Sequence, residues 1–550
     1  MANLRKLGSL NTAQQEVAHK NERLRKWALE NNTMGRGPSR RDFIKAGTAF
    51  GLSVAMTSAL WTEVKAATPR KGGKLQAAAD GGASTDTFNP LQASGVDHTT
   101  LSVLSCFDTL TEIDSKGAPQ PSLAESWEGA ADGTWVFKLR EGVEFHDGKS
   151  LTAEDVVWSL KQHLSQENKF AEGKQIIENL EELRADGSNQ VIMKQREVNF
   201  DLPAHLSSFG LIIGQEGTTD WNAGIGTGPY TKIAFEPGQR FQGAKFANFY
   251  RDDQGHFDEV ELLNVTDATA RASGLMSGSL EVIGQPDVNT AKRLGGIDGF
   301  TLLEVPGTQH YTTDMRTDTD PFTDNHIRSA VKWGIKRQEI VDKVLGGFGT
   351  IGNDVPISRG QQFFNSDLPQ REYDPDKAKF HLKQAGLDSI DLTFSTSDGA
   401  FPGAVNAGIL MQESMRPAGI NVNLDRAPAD GYWSDVWLKA PWCAVYWNGR
   451  PTVDWMLTST YISSSPWNST YFKNPTFDQL LVDARGEADE AKRRDMYFEA
   501  QRLLYEEGGV TVLGFANILI AKSDKLGHGE IGVSRRMDDS RLPRRWWFEA

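Results

Sequence analysis

The clearest alternation in the chain is Trp135, Phe137 and Leu139 interleaved with Val136, Lys138 and Arg140, a period of two that predicts a strand. Val143 and Phe145 resume it after Gly142, and Asp147-Gly148 predicts a turn. Thr152-Ala153-Glu154-Asp155 then has the spacing of a helix cap leading into Val156, Val157 and Leu160. Helical spacing recurs at Ile327, Ala330 and Val331, with Thr323 or Asp324 as the cap, and at Ile340, Val341 and Val344. Asp374-Pro375 opens another helix and Gly386 ends it. Asp267 to Gly278, Leu410 to Arg416, and the stripe Met496, Ala500, Leu503, Leu504 complete the predicted helices.

Strands are predicted at Gly73 to Ala79, where Asp80-Gly81-Gly82 stops the run, at Leu280 to Ile283, and at Ile420, Val422 and Leu424. Glycines and prolines from Gly214 to Pro229 predict a crossing between subdomains. The apolar run Cys443-Ala444-Val445-Tyr446-Trp447 reads as a buried strand, stopped by Asn448-Gly449. Helices and strands of mixed type indicate an α/β architecture.

At 550 residues the chain is too long for one core, so two or three domains are expected. The net charge is −14; residues 1–66 hold 11 Lys/Arg and 5 Asp/Glu, so the remainder carries −20. A body that acidic repels nucleic acid and anionic lipid. Ser39-Arg40-Arg41-Asp42-Phe43-Ile44-Lys45 is a twin-arginine signal; the weakly apolar Ala46 to Trp61 follows, and Val64-Lys65-Ala66 suits a signal peptidase. Residues 1–66 are therefore expected to be an export region, and the mature protein to be soluble, unanchored and periplasmic. The only cysteines, Cys106 and Cys443, are expected to be inert buried thiols.

Chemistry is scarce. Gly142 to Ser150 resembles a phosphate loop but has five residues between its glycines where that loop has four. There is no Gly-x-Ser-x-Gly and no His-Glu-x-x-His, and no two histidines are spaced as a helical ligand pair. No catalytic residue, metal or cofactor is assigned. Six of fifteen tryptophans (Trp433, Trp437, Trp442, Trp447, Trp455, Trp467) gather around the strand that ends at Asn448-Gly449, and Arg450 follows. Each tryptophan alone reads as core. Together, with a guanidinium at a strand end, they form a candidate site for a small anionic or polyhydroxylated ligand.

Several ordered stretches carry a resemblance. They are Phe107-Asp108-Thr109-Leu110, Pro121 to Trp127, Phe137 to Gly148, Leu151 to Val156, Gly226-Thr227-Gly228-Pro229-Tyr230, Pro321-Phe322, Ile327 to Ala330, and Tyr373-Asp374-Pro375. In these the mature chain resembles the dipeptide, oligopeptide and nickel family (family 5) of extracellular solute-binding proteins that serve ABC importers. The resemblance implies a periplasmic-binding-protein fold, with two main lobes around a ligand cleft and an inserted third lobe. Lobe I would comprise 67–105, 223–306 and 510–550, lobe II 106–222, and lobe III 307–509. It implies a monomer that closes on a small solute and docks on a permease with separate ATPase subunits.

Peptide-binding relatives place an acidic residue shortly after the strand's tryptophan, where it neutralises a peptide ammonium; in this sequence Arg450 stands there, and Asp454 matches a second family acid. An arginine repels an ammonium, so the expected ligand presents a carboxylate or hydroxyl-rich group to Arg450. Trp447, Asn448, Gly449, Trp433 and Trp455 are the expected companions, with Ser84 in the Ala83 to Pro90 loop and Arg316 as a second positive group. For Arg316 a salt bridge to Asp314 or Asp318 is the competing expectation. Opine-like conjugates, sugar acids and a chelated metal remain alternatives for the ligand, and a periplasmic hydrolase or a sensor role remains an alternative for the activity.

Overall fold

The structure is a computed structural model that describes residues 69–549, together with Ala46. The twin-arginine motif and cleavage region lie outside the described residues. Strand Lys74–Ala79 runs down the middle of a seven-stranded sheet, parallel to Glu259–Asn264 on one side and Val282–Gly284 on the other. Leu75, Ala77 and Ala79 enter one core while Ala78 enters a second on the opposite face, which is why a run of small apolar residues suits a strand covered on both sides. This sheet is the base of lobe I.

A second sheet, of six strands, forms lobe III in the order Gly349–Ile351, Val510–Ala516, His310–Met315, Trp442–Trp447, Ile390–Thr396, Ile420–Arg426. Trp442 and Ala444 face one core; Cys443, Val445 and Trp447 face another. The unbroken apolar run is thus a central strand with no solvent face. Both cysteines are buried and unpaired.

Lobe II is a four-stranded antiparallel sheet, Ala124–Gly129, Thr134–Leu139, Gln190–Gln195 and Leu180–Ala185, packed with helix Ala153–Lys161. The helix begins with a capping box in which Thr152 and Asp155 satisfy each other's backbone N–H groups. Asp324 is the cap of helix Asn325–Gly334, and Asp374 caps Pro375–Gln384 by accepting from the N–H groups of Asp376 and Lys377.

The lobe II core runs from Leu110 to Ile213, while Cys106, Phe107 and Trp221 pack in the lobe I core, so the lobe II bounds expected at 106 and 222 are several residues too wide at each end. The return to lobe I differs from the boundary expected at 510. Val510–Ala516 pairs with His310–Met315 in lobe III, and only Ile518–Ser523 joins the lobe I sheet. The two strands form one continuous apolar run broken by Asn517, so hydrophobicity alone does not mark the crossing.

Two crossings join lobes I and III, Val305 to His310 and Ala516 to Ile518, and they lie side by side: the Ala516 N–H donates to the Gln309 carbonyl at 2.9 Å. Gly307 is required there because a Cβ would collide with the Ala516 carbonyl.

Candidate functional site

His310 pairs with Trp447, so strand Trp442–Trp447 delivers its C-terminal end to the crossings. The chain then turns at Asn448-Gly449. A side chain at Gly449 would strike Thr308, and the Asn448 side-chain carbonyl accepts from Gln309 Nε2 at 3.0 Å. Directly in front is a cavity of about 300 Å³ between lobes I and III. Asn448, Gly449 and Thr308 line it from lobe III; Asp97, Arg535 and Arg536 line it from lobe I.

Charge is unevenly satisfied in this cleft. Arg536 reaches Asp97 at 3.7 Å and Asp80 at 3.9 Å. Burial raises the Asp97 carboxyl above its ordinary range, with Arg536 and Arg535 acting against that rise. Arg450 is half buried beside the cleft; its Nη1 donates to the Asn448 carbonyl at 3.0 Å. Burial weakens its hold on the proton, and the facing Glu172 of lobe II restores part of it. Glu172 is itself pushed up by burial, and accepts from the Ser208 hydroxyl.

A larger cavity, about 660 Å³, lies between lobes II and III and is lined by His205, Asp454, Trp455 and Arg485 among others. Its buried acid is paired, and so is Asp201 just behind its wall, while the exposed Arg196 and Glu197 that also line it have no ion pair among the described residues. Arg485 Nε stands 3.1 and 3.3 Å from the two Asp454 oxygens, and Arg493 reaches Asp201 at 3.4 Å. Burial pushes the Asp454 carboxyl up, whereas the contact holds Arg485 more firmly protonated. These shifts oppose each other, and the close two-oxygen geometry makes the charged pair the governing state. His205 packs edge-on against Trp455 at 4.6 Å, and burial lowers its pKa to about 4. Volume favours this second cavity as a site; unpaired charge that is partly buried favours the cleft, and such charge is the better guide to where a charged ligand would be held.

The expected site residues therefore separate. Asn448 and Gly449 line the cleft and Arg450 stands beside it. Asp454 and Trp455 belong to the lobe II–III junction, because the helix Val453–Thr460 carries them away from the strand end. Trp447 is buried in the lobe III core, with Trp437 at 6.2 Å. Trp433, 37% exposed, packs edge-on with Trp437 and Tyr446.

Arg316 is placed wrongly by the expectation of a second positive group in the cleft. It follows Met315, at the end of the strand opposite His310, and makes a two-toothed bond to Asp318 at 3.0 Å. Ser84 is exposed and lies against the turn at Gly238, where its loop leaves the cleft. Arg535, Asp97 and Glu172 were not anticipated; no spacing marks them, since three separate segments bring them together. The fold also brings His326 and His381 within 3.1 Å, Nδ1 to Nδ1, on lobe III, but no group of three or more His, Cys, Asp or Glu among the described residues could hold a metal ion.

Comparisons with known proteins agree with this architecture. The Escherichia coli (strain K12) dipeptide-binding protein is 26% identical over 483 residues, covering 79% of this chain and 88% of its own. The structure of HbpA2 from Haemophilus parasuis superposes with a TM-score of 0.75 at 18% identity, covering 85% of this chain and 98% of that one. The PBP AgaA in complex with agropinic acid, from A. tumefacien R10, superposes at 0.67 with 19% identity, covering 87% and 99%. No helix among the described residues is long and apolar enough to cross a membrane. The sequence model of the bacterial extracellular solute-binding proteins, family 5 Middle, matches residues 118–469, and the chain belongs to that family.

Proposed function

We propose that the protein is the periplasmic solute-binding component of an ABC importer, exported by the twin-arginine route, and that it captures a small peptide-like solute bearing a carboxylate between lobes I and III. It binds without turnover and presents the closed form to a membrane permease. One observation carries the reading: the two crossings at Gly307 and Ala516 lie side by side, with a charged cleft opening directly in front of them. Paired crossings of this kind let two rigid lobes rotate with few backbone changes, and a ligand favours closure by as much as it binds the closed state better.

Arg450 supports the carboxylate, since it would repel a peptide ammonium from the strand end. AgaA, a protein of the same fold, is in complex with agropinic acid, so acid conjugates belong beside peptides among the candidates.

Native mass spectrometry of the freshly purified mature protein tests the proposal. A small molecule that leaves on denaturation, and that restabilises the emptied protein in a thermal-shift assay, is the expected result. Ligand at about a hundred times its Kd adds about 2.7 kcal/mol of stability. Absence of any bound molecule, together with no thermal shift from peptide and peptide-like libraries, would overturn it, as would conversion of a bound compound to product.

A further inference from the structure

Directly after Arg535 and Arg536, which line the lobe I side of the cleft, the chain takes an unusual backbone. Met537, Asp538, Asp539 and Ser540 have φ of 54°, 58°, 53° and 59°, four successive left-handed residues and none of them glycine. Each costs about 1–2 kcal/mol in that conformation. The surroundings hold them there. Asp538 accepts from the Gly532 N–H at 2.7 Å and from Trp546 Nε1 at 3.0 Å, and the Ser540 hydroxyl meets Thr100 at 2.8 Å. Asp539 accepts from the Arg535 N–H at 2.7 Å, which ties the turn to the residue that precedes it. Strain kept in this way is characteristic of segments that position a functional group.

The positioned group is Arg535. Its guanidinium lies 4.4 Å from the centre of the Phe209 ring and donates to the Gly95 carbonyl, while its Nε is buried without a partner. The neighbouring Arg536 is paired with Asp97 and Asp80; among the described residues neither Arg535 nor Arg450 has a carboxylate within ion-pair distance. The charged groups around Arg535 are Asp97, Asp539, Arg536 and Glu172. Glu172 is the acid that both unpaired arginines face, from opposite lobes. Asp97 and Asp539 stand near Arg535 as well, so the cluster has no excess of positive charge. What is unmet is donor capacity, since among the described residues neither guanidinium meets a carboxylate directly and Arg535 Nε has no partner. Such a donor is costly in a space that closure dries unless an acceptor arrives with the ligand.

Resting on the solute-capture reading, we infer that Arg535 is a specificity-determining residue: it and Arg450 grip one carboxylate of the ligand from the two sides of the cleft. The ligand class is then a carboxylic acid, zwitterionic or net anionic. A solute whose only charge is positive is excluded. Arg535 adds planar, directional donors from lobe I, so the anion also links the two lobes in the closed form.

The test uses the full-length mature protein and a thermal-shift library in which each peptide or peptide-like acid is paired with its own C-terminal amide, followed by calorimetric titration of the compounds that bind. The expected result is that acids bind and their amides do not, and that Arg535→Gln and Arg450→Gln each weaken a binding acid by roughly ten- to a hundredfold. Arg535→Lys should recover part of the loss, because the charge returns without the fork. Far-ultraviolet circular dichroism and ligand-free melting of Arg535→Lys confirm that the fold is intact should Arg535→Gln unfold. Amides that bind as tightly as acids, or full affinity in both Arg535 variants, would overturn the inference while leaving solute capture standing. If neither acids nor amides bind and the purified protein carries no small molecule, the solute-capture reading falls, and the inference with it.

Discussion

The cleft between lobes I and III and the cavity between lobes II and III flank the same stretch of chain, Asn448 to Thr460, yet they treat charge in opposite ways. In the larger cavity the buried Asp454 has Arg485, and behind its wall Asp201 has Arg493. At the smaller cleft, among the described residues, neither Arg450 beside it nor Arg535 in its wall has a carboxylate within ion-pair distance. A junction between lobes must satisfy its own charges to be stable, whereas a binding cleft can leave a charge for the ligand to complete. Substitutions in the first should therefore register as stability, and substitutions in the second as affinity.

The largest effect belongs to the junction. Asp454→Ala leaves Arg485 partly buried without its partner and is expected to cost about 3–5 kcal/mol, read as a lower denaturant midpoint. The folded fraction should bind ligand about as well as the wild type; a tenfold loss of affinity would erase the distinction between the two cavities.

His205 gives the junction a pH signature. Burial lowers its pKa to about 4, below the ordinary 6.5, so the folded protein holds fewer protons than the unfolded chain between those values. Its contribution is present above pH 6.5 and is lost as pH falls through about 4. His205→Gln should remove up to about 3 kcal/mol of that acid loss. His163 and His310, also lowered to about 4 by burial, will keep the remainder. Chemical denaturation at pH 7 and pH 4.5 compares the variants; identical acid losses would show that His205 is not buried as described.

Beside the cleft, Arg450→Gln should change the ligand-free melting temperature little, because among the described residues the guanidinium bonds only to the carbonyls of Asn448 and Gly449. Its effect should appear in titration, as a loss of about 2 kcal/mol in binding. A variant that melts much lower but binds normally would make Arg450 a structural residue like Arg485.

This contrast also marks what the sequence could reveal. Trp442–Trp447 was legible because a strand covered on both faces must be apolar throughout, and Asn448-Gly449 can hardly continue it. The caps at Thr152, Asp324 and Asp374 were legible because the bonds that make a cap are local. Lobe organisation came from the order of familiar segments, and it misplaced the return at 510 because Val510–Ala516 and Ile518–Ser523 are equally apolar. Half of the cleft was hidden. Arg535 is set by four left-handed residues, Met-Asp-Asp-Ser, whose types do not announce that conformation, and Glu172 arrives from another lobe. Proximity along the chain instead suggested Asp454 and Trp455, which one helix carries to the other cavity.

Arg316 offers the smallest effect and the cleanest check on where the cleft ends. It binds Asp318, rests 3.9 Å from the centre of the Tyr471 ring, and donates to the Leu438 and Lys439 carbonyls at 3.2 Å. The pair is partly exposed, so solvent screening holds it to a few tenths of a kcal/mol, and the ring contact adds about 0.5–1. Arg316→Ala should thus lower stability by about 1 kcal/mol. Six strand residues separate it from the end that meets Trp447, a distance of about 20 Å, beyond one Debye length at physiological salt. Ligand affinity should be unchanged at ordinary ionic strength, and titration of Arg316→Ala beside Arg450→Gln measures both ends of one strand. A comparable loss in the two variants would mean that the ligand senses the charge of the whole lobe, and that Arg450 holds no privileged place in the cleft.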